Sequence, residues 1–310
     1  MGKYVLRRVL ELIPALILIS FVVFWLMSLA GDPAETRAGM EATPEQIEAL
    51  REAMGLNRPL LVRYFEFMKN MLTGNLGDDI YGNAIWPQIT ERFPLTLLLV
   101  IIMTAGSTLI AIPAGVGAAL NKGSWGDTAL TAACLFFNCM PVFWLGMILQ
   151  TIFSVKLGWL PTSGITKGVL LGLILPSVAS MASGIAPKCR QTRSSMLDNL
   201  NADYMRTALA KGVKHKKAVY KHALPNALLP IITVVGTSFA VGLAGSVALE
   251  TVFAWPGIGT LIVPGVRASN YPLVCAAVIV MTVMVGAVNL IVDVIYAFAD
   301  PRVKARYTGK

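Results

Sequence analysis

Residues 95–120, LTLLLVIIMTAGSTLIAIPAGVGAAL, form an uninterrupted apolar run without a charged side chain. At about 1.5 Å per residue, a helix of this length crosses the roughly 30 Å hydrocarbon core of a bilayer. Lipid offers no hydrogen-bond partners to the backbone, so a run that crosses it must be helical. This stretch therefore indicates the class of fold, an all-α membrane protein.

Comparable apolar runs recur on both sides of this stretch, at residues 9–30, 128–155, 169–186, 228–249 and 273–298. The composition agrees, because 55% of the residues are hydrophobic and only 14% are charged. A soluble domain of this size would carry more charge. We predict six transmembrane helices and a multi-pass protein of the bacterial cytoplasmic (inner) membrane.

The net charge of +9 comes largely from Lys and Arg residues that lie between the apolar runs. This distribution fits the positive-inside rule, and we do not expect binding to nucleic acid. The basic residues concentrate at the N-terminus, in residues 188–226 and in the C-terminal tail. We therefore expect both termini and the 188–226 loop to be cytoplasmic, in contact with membrane lipid.

The chain divides into three predicted parts. Residues 1–30 form the N-terminus and first transmembrane helix, residues 31–94 an extracytoplasmic helical cap, and residues 95–310 a core transmembrane domain with a cytoplasmic loop at 188–226. In the cap, Thr43 and Gln46 predict a capping box at a helix start. A second cap helix is expected after Pro59, and four apolar residues should share one of its faces: Leu61, Phe65, Met68 and Leu72.

The loop at residues 188–226 is unusually long for a connection between two spans. We expect Asp203 to cap a short helix over residues 204–211, which ends at Gly212. A second, basic helix follows at 214–222, and Pro225 and Pro230 are expected to break the backbone before the next span. The pattern alone fits either a helix seated in a groove of a soluble partner or an interfacial helix on anionic lipid.

The sequence carries no signature of catalysis, because P-loop, GxSxG and HExxH motifs are all missing. His215 and His222 supply too few ligands for zinc, and the cysteines form no CxxC pair. We expect no catalytic or metal site and no cofactor bound by this chain. Glu250 and Asp293 lie at or within spans, so an ion-coupled secondary transporter is the alternative from another class.

Residues 204–212, YMRTALAKG, and residues 222–226, HALPN, form the most specific of several ordered motifs. The others are GDP at 31–33, GLNRPL at 55–60, GNLG at 74–77, PVFWLG at 141–146, RSSML at 193–197, ETVFAWPGIG at 250–259, YP at 271–272 and DPR at 300–302. The 204–226 pair resembles the EAA loop of binding-protein-dependent ABC importer permeases. The whole set resembles the B-type permease subunits of dipeptide, oligopeptide and nickel importers.

The resemblance implies the transmembrane domain of a type I ABC importer, with a helix that couples it to an ATPase. The residues implied in coupling are Asp203, Tyr204, Arg206, Thr207, Ala208, Gly212, Leu224 and Pro225. Residues 206–208 occupy the Glu-Ala-Ala position of the family motif, so its acidic residue is replaced by Arg206 here.

The resemblance also implies a re-entrant segment at the periplasmic gate, which contains Trp255, Pro256, Gly257 and Gly259. A tight structural cap on the pore is the alternative role for this segment. Small residues in the fifth span permit close helix approach or line the pathway, and packing is the favoured role of any single one. These are Gly236, Ser238 and Gly242.

The implied partners are a second homologous permease in a heterodimer, two cytoplasmic ATPase subunits and an extracytoplasmic substrate-binding protein. The ATPase subunits would use ATP and Mg²⁺, since this chain has no ATPase site of its own. The implied substrates are short peptides, and the alternative is nickel or a metal–chelate complex.

Overall fold

The computed structural model describes residues 2–39 and 41–299, and their side chains from residue 9 to residue 295. Regular structure in this part of the chain is helical, apart from an isolated bridge between Asp78 and Ala84. The DPR motif at 300–302 and the basic tail lie outside the described residues.

The helices follow one another along the chain, and the longest connections between them are residues 73–84 and 157–168. They are α1 (Gly2–Ala30), α2 (Pro33–Ala38), α3 (Pro44–Ala53), α4 (Leu60–Leu72), α5 (Ile85–Leu120), α6 (Trp125–Cys139), α7 (Val142–Leu149), α8 (Val169–Leu200), α9 (Asp203–Ala210), α10 (His215–Ala218), α11 (Leu224–Val252), α12 (Gly259–Arg267) and α13 (Tyr271–Ala299). Two π-helical segments continue α7 (Gln150–Lys156) and α10 (Val219–Ala223). Five stretches are long and apolar enough to cross a membrane, and a bent pair adds a sixth. The described residues therefore give five to six spans, and the predicted six include the bent pair as one span.

The third predicted span is bent rather than straight. α6 ends at Cys139, and the helical stretch Val142–Lys156 leaves at 97° to it. The bend lies at Met140 and Pro141, between the two helical stretches. Met140, which precedes the proline, has an extended ψ of 130°. A residue before proline is pushed away from helical geometry, which explains why the chain turns here.

The expected breaks at Pro225 and Pro230 are wrong, because the chain is helical from His215 to Val252. The π segment Val219–Ala223 lies directly before α11 and places Pro225 in the first turn of that helix. Proline is tolerated in a first turn because its missing N–H has no partner there. Pro230 lies inside α11, where neighbouring helices can satisfy the carbonyl that it frees.

α5 starts earlier than the predicted second span. It begins at Ile85 and continues through Pro94, so residue 94 is no helix boundary. The predicted division between cap and core therefore falls inside a helix, and it stays a prediction. α8 extends to Leu200, beyond the end of the fourth apolar run at residue 186.

In the cap, the predicted capping box at α3 is confirmed. The hydroxyl of Thr43 accepts a hydrogen bond from the Gln46 N–H at 3.3 Å, and the Gln46 side chain accepts one from the Thr43 N–H at 3.0 Å. The four residues that share the predicted face of α4 differ in burial. Tyr64 is the buried residue of α4 and packs with Phe67 and Met68 against α1, whereas Leu61, Phe65 and Leu72 are exposed.

Two of the apolar clusters in the rest of the molecule hold the candidate functional segments. The larger one joins α5, α8, α11 and α13 and contains the fully buried Trp255 and Leu243. The smaller one joins the ends of α5 and α8 to α9 and to the π segment before α11. Each cluster holds one of the two candidate functional segments.

Candidate functional site

α9 is fixed to the membrane domain through one apolar side chain. Met205 is 1% exposed and belongs to the smaller cluster, together with Val116 of α5, Met196 of α8 and Val219 of the π segment. The phenol of Tyr204 donates a hydrogen bond to the Asn199 side chain at 2.7 Å, which ties α9 to the end of α8. One face of α9 is thus anchored.

The opposite face of α9 is open. Arg206 and Thr207 are exposed there, and Ala208 is half-buried at the edge. Within the described chain no side chain caps α9, so the predicted capping role of Asp203 is wrong. The extended backbone of Ala202 holds the N-cap position, and Asp203 falls in the first turn instead. Its exposed carboxylate lies 3.9 Å from the Arg206 guanidinium.

Gly212 follows the end of this helix, as the sequence predicts, and it has a positive φ. Its φ is +81°, and its N–H donates a hydrogen bond to the Leu209 carbonyl at 2.9 Å. The next residue, Val213, donates to the Ala208 carbonyl at 3.2 Å. A Cβ at Gly212 would meet no described atom within 4 Å, so the backbone conformation, not crowding, requires glycine.

The other residues implied in coupling lie where the chain re-enters the membrane domain. Leu224 packs at the edge of the smaller cluster, and Pro225 is exposed beside it. The chain between α9 and Pro225 exposes a row of lysines, Lys211, Lys214, Lys216, Lys217 and Lys221. Together with α9 they form an exposed basic surface, which we call the α9 surface.

The segment at residues 255–260 shows the opposite arrangement, because hydrogen bonds fasten it to the first half of α5. The buried Trp255 indole donates to the Leu95 carbonyl at 3.1 Å. The Ile258 N–H donates to the Thr96 hydroxyl at 2.9 Å. A third contact at the end of the segment joins Arg92 Nη1 to the Thr260 hydroxyl at 2.6 Å.

Glu250, at the end of α11, also binds this segment. The sequence places it at the outer interface, but its side chain is fully buried. The chain folds back over it through Ala254, which has a φ of +46°. Its Oε2 accepts a hydrogen bond from the Gly259 N–H at 2.6 Å, and its Oε1 has no hydrogen-bond partner among the described residues.

The two glycines of the segment are needed for space. A Cβ at Gly257 would overlap the carboxyl group of Glu250. A Cβ at Gly259 would lie 2.6 Å from the Cα of Val247. Pro256 lies half-buried between the anchored residues. The structure therefore gives residues 255–259 a packed, irregular form, and their role at a periplasmic gate stays a prediction.

The small residues of α11 lie in contacts between helices of this chain. A Cβ at Gly236 would overlap Val292 of α13, and one at Gly242 would lie 3.3 Å from Val100 of α5. The Ser238 hydroxyl donates to the Val234 carbonyl at 2.7 Å. Helix packing accounts for both glycines, and their pathway-lining role stays a prediction.

Sequence reasoning missed two buried polar contacts of α8. Arg193 binds the 5% exposed Asp127 of α6 with two nitrogens, at 2.6 and 2.7 Å. Lys188 is 1% exposed, and its ammonium donates to the Ser107 hydroxyl of α5 at 2.5 Å. The sequence did mark the two members of the first contact separately. Asp127 lies in the first turn of a helix, and Arg193 lies in the RSSML motif. Across the described residues, no three His, Cys, Asp or Glu side chains come together as a metal site.

Two family descriptions match the chain. "Binding-protein-dependent transport system inner membrane component" matches residues 111–305, and the description of its N-terminal part matches residues 1–100. The glutathione transport system permease protein GsiC of Pectobacterium atrosepticum is 38% identical over 306 residues, which cover 98% of this chain and 99% of the relative. The dipeptide transport system permease protein DppB of Alkalihalophilus pseudofirmus is 36% identical over 336 residues, covering 98% and 100%.

A solved structure shares the fold. A chain of the MetNI methionine ABC transporter, in an inward-facing conformation, superimposes with a TM-score of 0.58. The match covers 68% of this chain and 95% of that chain at 16% sequence identity. At that identity the likeness shows a common fold for the helical core.

Proposed function

This chain belongs to the family of binding-protein-dependent transport system inner membrane components, and from that premise we propose that it forms half of the import pathway for short peptides. It is a multi-pass permease subunit of the inner membrane. Full-length relatives named for glutathione and dipeptide transport support peptides as the substrate class.

The observation that carries the proposal is the α9 surface. α9 is held by the buried Met205, while Arg206 and Thr207 face outward. A short helix that exposes one face at a membrane surface fits a groove in a soluble partner. We propose that the partner is a cytoplasmic ATPase subunit, which would make this side of the molecule, and both termini, cytoplasmic.

Force from the ATPase would enter the bundle through the smaller apolar cluster. Met205 shares this cluster with side chains of α5, of α8 and of the π segment before α11, so a displaced α9 would be felt by the packing of all three. Packed interiors transmit such displacements because they have little free space. The helices would then tilt together and open the pathway to the opposite side of the membrane.

The remaining parts of the assembly follow from the same proposal. A second, similar permease would complete a pathway wide enough for a peptide, and two ATPase subunits would use ATP and Mg²⁺. An extracytoplasmic binding protein would deliver the peptide near residues 255–259. This chain would bind no cofactor itself.

Uptake into proteoliposomes tests the proposal. The chain is purified with its native partner subunits, and ATP-dependent entry of a labelled dipeptide is measured with and without excess Ni²⁺. We expect ATP-dependent uptake of the dipeptide that excess Ni²⁺ does not inhibit. Uptake driven by a proton gradient without ATP would contradict the proposal, and so would uptake of Ni²⁺ alone.

A matched pair of substitutions tests the coupling surface in the same assay. Ala208→Glu places a charge at the half-buried edge of α9, whereas Ala53→Glu places one on the exposed end of α3 in the cap. We expect Ala208→Glu to abolish substrate-stimulated ATP hydrolysis and Ala53→Glu to leave it intact. Equal activity of the two variants would count against ATPase docking at α9.

A further inference from the structure

We propose that α4 lies within the membrane, in the leaflet at the Ala30 end of α1, with an exposed apolar stripe against lipid acyl chains. The stripe consists of Leu61, Phe65 and Leu72, which are 56%, 66% and 83% exposed. Their spacing places them on one side of the helix. Three large apolar side chains this open need a partner that removes them from water.

The hydrogen bonds of Tyr64 to α1 indicate how deep α4 lies in the membrane. Its phenol donates a hydrogen bond to the Ile17 carbonyl at 3.1 Å and shares another with the Ser20 hydroxyl at 2.8 Å. Ser20 lies about 15 Å from Ala30 along the axis of α1, at 1.5 Å per residue. Because the hydrocarbon core is about 30 Å thick, the Tyr64 hydroxyl reaches towards the middle of the membrane.

Ring contacts place the body of α4 at a similar level. Phe67 packs on Phe24 with ring centroids 5.6 Å apart, and Tyr64 contacts both Phe21 and Phe24 edge-on. Phe24 lies in the apolar stretch Val9–Ala30, well inside its last residue. The chain on both sides of α4 is tied to the Ala30 end of this stretch, because Arg51 binds Asp32 and the Ile80 N–H donates to Asn270, whose neighbour Ser269 lies against Gly31. We infer that α4 enters the bilayer from that surface.

The stripe continues a surface that already faces lipid. α1 exposes Leu18, Trp25 and Leu26 along the same part of its length, at 63%, 46% and 52%. α1 is a membrane-spanning helix, so these side chains meet acyl chains. The stripe of α4 lies next to Tyr64 and Met68, the residues of α4 that pack with α1.

The other side of α4 is polar, as an interfacial helix requires. Glu66, Lys69 and Asn70 are exposed on it, and Arg58 donates a hydrogen bond to Glu66 at 2.6 Å. This amphipathic arrangement favours lipid over the substrate-binding protein, because a soluble protein would have to descend below the level of Phe24 to reach the stripe.

Nitroxide accessibility tests this placement. Phe65→Cys and Leu72→Cys are each labelled in a chain whose four native cysteines are replaced by serine, assembled with its partners in nanodiscs. Glu66→Cys is the matched control on the polar side. Collision rates are measured with oxygen, which concentrates in lipid, and with a water-soluble nickel chelate.

We expect oxygen to relax the labels at positions 65 and 72 severalfold more strongly than the nickel chelate, and the reverse at position 66. Stronger relaxation by the chelate at 65 and 72 would place the stripe in water and overturn the proposal. Weak relaxation by both reagents would mean that a protein covers it, which also overturns the proposal. ATP hydrolysis by each labelled assembly confirms that it is folded.

Discussion

The α9 surface and the segment at residues 255–260 are both short irregular excursions beside membrane helices, but they are held in opposite ways. α9 has one buried anchor, Met205, and its outward side chains are exposed. The 255–260 segment has the fully buried Trp255 and a hydrogen bond to the fully buried Glu250. The side chains of α9 are thus available to a partner, whereas those of residues 255–260 make contacts within the chain.

This difference separates two kinds of sensitivity to substitution. Changes in the 255–260 segment should lower the stability of the chain itself, because each contact lies within the fold. Changes on α9 should leave the fold intact and affect the interaction with a partner. The predictions below test this separation, in order of decreasing effect on stability.

The largest effect is expected for Gly259→Ala. Its new Cβ would lie 2.6 Å from the Cα of Val247, a backbone atom that cannot move without shifting α11. We expect a loss near the upper end of the range of about 1–3 kcal/mol that overpacking a core typically costs. Gly245→Ala in α11 is the control, because its Cβ would meet no described atom within 4 Å. Melting temperatures of both variants in detergent measure the difference, and similar values would contradict the packing account.

A smaller loss is expected for Glu250→Ala, because it leaves the Gly259 N–H without its acceptor in a buried site. An unsatisfied buried donor costs about 1–3 kcal/mol. Glu250→Gln keeps an amide oxygen in the same place, so we expect near-normal stability and ATP-dependent uptake from it. Thermal unfolding of the two variants checks this prediction, and a Gln variant as unstable as the Ala variant would show that charge, not the acceptor, matters.

Gly212→Val changes the backbone rather than a contact. A β-branched residue at a φ of +81° costs about 1–2 kcal/mol, and the chain would relieve it by shifting the end of α9. Asparagine tolerates this conformation, so Gly212→Asn is the control. We expect the Val variant to insert normally but to lose substrate-stimulated ATP hydrolysis, and the Asn variant to keep most of it. Full activity of the Val variant would refute a coupling role for this turn.

The smallest effect on stability is expected for Arg206→Ala. Arg206 is exposed and its ion pair with Asp203 is long, at 3.9 Å, so its removal should cost less than about 0.5 kcal/mol. We still expect weaker binding of the ATPase subunits, measured as the amount that co-purifies. A melting temperature lowered as far as that of Glu250→Ala would contradict the claim that substitutions on α9 leave the fold intact.

The spans, the capping box at Thr43 and the turn at Gly212 could be predicted because each depends on a few adjacent residues. The prolines show the limit of local reasoning. Pro141 coincides with a 97° bend, whereas the helix continues through Pro225 and Pro230. The outcome depends on the π segment before α11 and on neighbouring helices, which the local sequence does not show.

The site shows the same limit. The burial of Glu250 depends on the chain folding back at Ala254 and on a helix far away in sequence, since Ile258 binds Thr96. Local pattern placed Asp203 at the N-cap, one residue too late, because Ala202 has an extended conformation without any side-chain cap. The burial of Glu250 depends on contacts between distant segments, which the local sequence pattern does not show.

Site-specific photocrosslinking tests the central claim most directly, that the exposed face of α9 binds an ATPase. A photoreactive amino acid replaces Arg206 in cells that express the complete transporter, and another replaces Leu72 on α4 as a control. The account predicts an adduct with a P-loop ATPase subunit from position 206 and none from position 72. An adduct from position 206 with the extracytoplasmic binding protein, or no adduct with the ATPase, would contradict it.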